Sequence, residues 1–148
     1  MEIHKQKVID LEFGFNKEKE VLPILNDFFD VNLKQNDRYD IFDFVDEDKK
    51  MIFELKSRRC KKHDYKDRGG IMIGANKVRE GFRKIRKGYR VIFTWLFTNK
   101  YCYYELTKVL DKDINIKNNV MARSDRGGEE FSSIAYIPTK KLKNILIL

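Results

Sequence analysis

The chain is expected to fold as a single α/β domain, a sandwich of helices around a mixed sheet. Apolar residues recur at helical spacing in two separate stretches, and short apolar runs bounded by polar turns lie between and after them. No repeat, low-complexity linker or break in composition interrupts the 148 residues, so residues 1–148 read as one domain around one core. A content of 42% hydrophobic and 13% aromatic residues belongs to a packed chain, not a disordered one.

Asn16 is placed to cap a first helix, with Glu18 and Glu20 in its opening turn and Val21, Leu22, Leu25, Phe28 and Phe29 at helical spacing. Pro23 lies past the first turn and is expected to bend it. Val31 to Lys34 reads as a first strand. Tyr39–Val45 and Met51–Lys56, separated by a polar run, read as one hairpin. Ser57 to Gly70 is a basic loop ending in two glycines. From Ala75 to Lys87, Val78, Phe82 and Ile85 mark the apolar stripe of a second helix, with Lys77, Arg79, Arg83, Lys84 and Arg86 around it. Tyr89–Phe97 and Tyr101–Leu106 form a second hairpin about Thr98-Asn99-Lys100, and Tyr101, Tyr103 and Tyr104 read as strand packing. The pattern from Thr107 is mixed. Phe131–Ile137 reads as a strand, and Pro138 then opens a short C-terminal helix through Leu146. Helix, strands, helix, strands is the order of a layered α/β fold.

Lys and Arg total 31 against 23 Asp and Glu, a formal net charge of +8, so polyanions such as nucleic acid are the expected partners. No apolar stretch approaches the ~18 residues of a membrane span. Met1 to Lys7 lacks a signal-peptide pattern, so no membrane partner and a cytoplasmic, intracellular location are expected. Cys60 and Cys102 belong to no CxxC pair, and His4 and His63 are isolated. That argues against zinc, a disulfide framework or a Ser-His-Asp triad. Carboxylates and lysines are left to carry any chemistry.

Glu54-Leu55-Lys56 closes the apolar run Met51-Ile52-Phe53 and puts a carboxylate and an ammonium on one strand face. The aspartate facing Glu54 depends on hairpin register. With Asp43 opposite Glu54, the loop is Glu47-Asp48-Lys49-Lys50, Phe44 pairs with Phe53, and Val45 with Ile52. Phe42, Phe44, Phe53 and Leu55 then share the core face, and Asp43, Glu54 and Lys56 share the other. With Asp40 opposite Glu54, Asp43 joins the core face as an unpaired buried carboxylate, which costs several kcal/mol or forces its neutralisation. Asp43 is therefore preferred, with Asp40 in reserve because a bulge would reverse the parity.

Two carboxylates so close are tolerable only if a cation lies between them or one is protonated. Oxygen-only ligation suits Mg²⁺ or Mn²⁺, which polarises a scissile phosphate and supplies a hydroxide-like water. Lys56 would orient that water and offset charge on the phosphoryl oxygens.

These residues resemble the PD-(D/E)xK nuclease superfamily, over the first helix, the hairpin Tyr39–Lys56 and the helix from Ala75, about half of the chain. Members carry an acidic residue in the first helix, often as GxxxE, and Gly14-Phe15-Asn16-Lys17-Glu18 fits that pattern. The Asp and Glu-x-Lys follow, and then a basic or glutamine residue on the next helix, for which Lys77 stands. Phe42 or Tyr39 takes the place of the proline in the family's name. Phe-Glu-Leu-Lys-Ser-Arg-Arg, a basic loop and Met72-Ile-Gly-Ala-Asn-Lys77 are similar to small phage and viral members. The resemblance implies a restriction-endonuclease-like core and a Mg²⁺- or Mn²⁺-dependent deoxyribonuclease, most simply an endonuclease, working in the cytoplasm of an infected host. It implies Asp43, Glu54 and the Leu55 carbonyl as metal ligands, Lys56 as the catalytic lysine, and Glu18 as a holder of the site or its waters. Glu18 equally suits a helix N-terminus on electrostatic grounds. Arg58, Arg59 and Lys62, just past Lys56, together with Lys77, Arg79 and Arg83, would track the nucleic-acid backbone. An RNA-cleaving nuclease and a non-cutting binding module of the same fold are the alternatives. A homodimer is in keeping with relatives that cut two strands, and the apolar Ile145–Leu148 would then be an interface or else a cap on the core.

Overall fold

A computed structural model describes residues 18–37, 40–58, 70–123 and 128–145. Helix α1 (18–29) runs through the exposed Pro23 and buries Val21 and Leu25 completely, with Leu22, Ile24, Phe28 and Phe29 packed beside them. It stops at Asp30, whose φ of 53° is left-handed, and the Val31 N–H turns back to Asn26 O at 3.0 Å. Asn16, the expected cap, lies outside the described residues, as do Gly14, Phe15 and Lys17.

The next strand is shorter than expected. Val31 and Leu33 are buried in the α1 cluster, the Leu33 N–H donates to Asn26 Oδ1 at 2.9 Å, and only β1 (Lys34–Gln35) reaches the sheet. It pairs with β2 (Phe44–Asp46), which forms a hairpin with β3 (Met51–Ser57). Phe44 faces Phe53 and Val45 faces Ile52, the register that packing favoured. Asp46 secures the entry to the turn, accepting from Lys49 N–H (3.1 Å) and Asn32 N–H (2.8 Å).

Strand β4 (Ile71–Gly74) leads directly into α2 (Ala75–Arg86), followed by β5 (Arg90–Leu96) and β6 (Tyr101–Leu106). Then come β7 (Asn115–Arg123), β8 (Gly128–Ile137), a single 3₁₀ turn (Thr139–Lys141) and β9 (Lys143–Asn144). The main sheet has six strands in the order β1-β2-β3-β5-β6-β9, and β4-β8-β7 form a second sheet of three. Within the main sheet β3 and β5 are parallel and the other neighbours antiparallel, so the chain is mixed α/β with a mixed sheet. The parallel pair needs a crossover, which β4 and α2 provide.

Both faces of the main sheet are covered. Phe44, Met51, Phe53, Leu55, Ile92 and Leu96 pack with α1, while Val45, Ile52, Val91, Phe93 and Trp95 pack with Val78 of α2 and with Ile71, Ile73, Ala135 and Ile137 of the small sheet. Tyr103 meets Phe28 and Phe29 edge to face, and Tyr104 is buried, so the tyrosine cluster is strand packing. At Gly81, α2 approaches β6 so closely that a Cβ would meet Leu106 Cδ2 at 2.7 Å. No helix among the described residues is long and apolar enough to cross a membrane.

Four expectations are corrected. Phe42 packs with Val45 and Ile52, not with Phe44, because residues 41–43 bend and the ladder becomes irregular at Asp43, shifting the side-chain parity as a bulge does. Strand character on that arm is accordingly confined to Phe44–Asp46, and Tyr39 lies outside the described residues. Strands β4 and β7 were not expected. The C-terminal helix shrinks to the 3₁₀ turn that Pro138 opens: Leu142 belongs to one core cluster and Ile145 to the other, so three residues of extended chain carry them to opposite faces of the sheet. The Ile145 N–H donates to Tyr101 O at 2.8 Å, continuing the edge made by β9. Residues 146–148 lie outside the described residues.

Candidate active site

Strand β3 alternates between two packed layers: Phe53 and Leu55 face α1, and Ile52, Glu54 and Lys56 face α2. Its parallel neighbour places Phe93 beside Glu54 and Trp95 beside Lys56, both buried. Glu54 is therefore only 2% exposed, although an acid–base alternation on a strand ordinarily faces water.

Asp43 reaches this point from the bend. The Asp43 N–H still donates to Phe53 O at 3.1 Å, and the chain then leaves the sheet. Its side chain supplies the acceptor that the ladder lacks, with Oδ2 2.8 Å from the Leu55 N–H. Asp43 is thereby tied to the backbone between Glu54 and Lys56.

Two ammonium groups flank the Glu54 carboxylate. Lys56 Nζ lies 3.5 Å from Oε1, and Lys77 Nζ, from the first turn of α2, lies 2.8 Å from Oε2. Lys77 also donates to Ile41 O, so one side chain joins the bend before Asp43 to the centre of β3. The contact with Oε2 is a close ion pair, and among the described residues no better-aligned donor reaches this fully buried oxygen.

The lysines do not fully compensate. Burial, then the neighbouring Asp43 charge, push the Glu54 carboxyl up to about 7 against the opposing pull of Lys56 and Lys77. Glu18, half-buried at the described start of α1, is also raised to about 7, by burial and then by Asp43 and Glu54, with Lys56 opposing. Three carboxyl groups thus sense one another. Among the described residues, no three His, Cys, Asp or Glu side chains form a ready-made metal cage. A Mg²⁺-type site asks for less, one or two carboxylates completed by water and phosphate oxygens, and the unaligned Glu54 Oε2 and under-neutralised acids fit that donor set.

The reserve aspartate is engaged elsewhere. Asp40 Oδ1 accepts from the Phe42 N–H at 3.0 Å, and Oδ2 lies 3.9 Å from Lys84 Nζ. Asp40 and Ile41 form one wall of an open cavity of about 610 Å³, and α2 forms the other through Asn76, Arg79, Glu80, Arg83 and Lys84.

The expected nucleic-acid contacts divide. Arg79 and Arg83 are exposed on this groove, with Arg83 paired to Glu80. Lys77 is turned inward to Glu54. Arg58 is half-buried beside the site strand, its N–H bonded to Leu96 O (2.9 Å) and its guanidinium to Ser57 O (3.0 Å). Arg59 and Lys62 lie outside the described residues. Sequence reasoning missed Lys84 as a groove residue, although its i,i+4 spacing from Glu80 puts both on one helix face. It also missed the inward turn of Lys77, which no local pattern in the sequence marks.

Comparison with family models, with curated proteins and with solved structures finds no match for this chain.

Proposed function

We propose that the chain is a divalent-metal-dependent nuclease with a restriction-endonuclease-like core, hydrolysing DNA phosphodiester bonds and cutting within strands. The observation that carries this reading is the convergence of Asp43 and Lys56 on the buried Glu54, which is ion-paired yet remains raised to about 7. Burial and the Asp43 charge outweigh the two lysines there, which leaves the carboxyls short of positive charge.

Asp43 and Glu54, with the Leu55 carbonyl between Glu54 and Lys56, would hold the ion. When bound, Mg²⁺ or Mn²⁺ supplies Lewis acidity toward the phosphate and a water of lowered pKa. Lys56, one-third exposed at the rim, orients the attacking water and offsets charge on the non-bridging oxygens. Glu18, with a carboxyl at about 7, is matched to receive a proton near neutral pH. Arg79, Arg83 and Lys84 on α2 bind the backbone phosphates that flank the cut. The formal charge of +8 draws DNA to this surface and makes binding salt-dependent.

Supercoiled plasmid incubated with Mg²⁺ or Mn²⁺ is nicked or linearised by the wild type, and Glu54→Ala, Lys56→Ala or EDTA abolishes cutting. DNA binding without cutting under either metal would instead identify a binding module. Structured RNA cut in preference to DNA would identify a ribonuclease.

A further inference from the structure

Lys77 was expected to face a phosphate backbone, yet its side chain is only 19% exposed and its ammonium lies 2.8 Å from Glu54 Oε2. A cation bound through that buried oxygen would meet the Lys77 ammonium. An ammonium and a divalent ion cannot both sit against one carboxylate oxygen, since their mutual repulsion in a buried setting is steep. Lys77 divides its ammonium between Glu54 Oε2 and Ile41 O. Lys56 approaches the other oxygen at 3.5 Å from a more exposed position.

We propose that Lys77 is an internal counter-ion that holds the cation's place at Glu54 in the metal-free protein and withdraws when a divalent ion binds. This rests on the metal-site reading above and adds a competitor to it. A long, unbranched side chain in the first turn of α2 can swing out, and α2 opens on the groove shared with Asp40 and Ile41. Withdrawal breaks the bond to Ile41 O, so ion binding is coupled to release of the bend that carries Asp43. Lys77 is thus a positioning residue that tunes metal affinity, distinct from Lys56.

Mn²⁺ binding to the full chain, measured by calorimetry without DNA, tests this independently of activity. Lys77→Gln keeps a donor for Ile41 O, Lys77→Met removes it, and Lys56→Gln removes an equal charge from the other oxygen. Both Lys77 variants should bind Mn²⁺ roughly tenfold or more tightly than wild type, with Lys56→Gln changing affinity less. Equal gains in Lys77→Gln and Lys56→Gln would overturn the inference, showing only a through-space charge effect. Unchanged affinity in Lys77→Gln, with Glu54→Gln weakening binding, would overturn it while leaving the metal site standing. Mn²⁺ uptake that is absent, or indifferent to Glu54→Gln, would remove both readings.

Discussion

Replacing Glu54 by Gln should stabilise the metal-free protein at neutral and alkaline pH. The Glu54 carboxyl is raised from 4.5 to about 7 in the fold, so between those values the folded chain holds a proton that the unfolded chain has released. Stability therefore falls as pH rises across this window; the contribution is full below about 4.5 and lost once pH passes about 7. A displacement of this size corresponds to roughly 3 kcal/mol for a group so deeply buried. In a chain of this length that is a difference of about 6–12 °C in Tm. Glu18 shifts the same way, but it is only half-buried, and solvent screening makes its share smaller. The assay is thermal unfolding of wild type and Glu54→Gln from pH 4 to pH 8.5 in EDTA at constant ionic strength. Taking the difference between the two proteins cancels the general effect of net charge on acid stability. The curves should lie close together below pH 4.5 and diverge toward pH 8, with Glu54→Gln the more stable. A flat difference, or a wild type that gains on the variant as pH rises, would refute the claim that this carboxylate is held at a cost.

Saturating Mn²⁺ should raise the Tm of the wild type more at pH 7.5 than at pH 5, because protons and the metal compete for the same carboxyls; ion at 100 times its Kd adds about 2.7 kcal/mol. Scanning fluorimetry with and without EDTA reads this. Asp43→Asn keeps an acceptor for the Leu55 N–H but removes the charge that is the second cause of the Glu54 shift, so Glu54 should titrate lower in a carbon-detected NMR titration. Gly70→Ala should destabilise by at least about 2 kcal/mol in chemical denaturation. There φ is +119° and a Cβ would meet Ile137 O at 2.3 Å.

The hairpin register was legible because a buried, unpaired carboxylate is expensive, and Phe44 against Phe53 is the pairing that avoids one. The burial of Glu54 was not legible. Met51 to Lys56 alternates in a way that fits a strand with one wet face, and nothing local reveals that α2 and the small sheet cover that face. Leu142 and Ile145 mislead for a related reason: a spacing of three serves one helix stripe or two strand faces, and only the edge offered by β6 decides between them. Strand β7 is poor in β-branched residues and holds three asparagines, so its pairing with β8 follows from tertiary context rather than propensity.

Burial and the proposed metal chemistry are connected through charge balance at the centre of the sheet. Among the described residues, Asp43, Glu54 and Glu18 have Lys56 and Lys77 as their neighbouring cations, which leaves one formal negative charge uncompensated, and burial together with this imbalance raises the carboxyls of Glu54 and Glu18. A third lysine would relieve the strain as a purely structural solution. The chain has lysine and arginine in excess elsewhere, yet none completes this cluster among the described residues. Exchanging the Lys77 ammonium for a divalent ion brings the same group to formal neutrality. Lys77, seven residues from Lys84 and so on the same side of α2, would then join Lys84 and the arginines of the groove. The packed layers on both faces of the main sheet supply the stability that lets the fold carry such a charge imbalance.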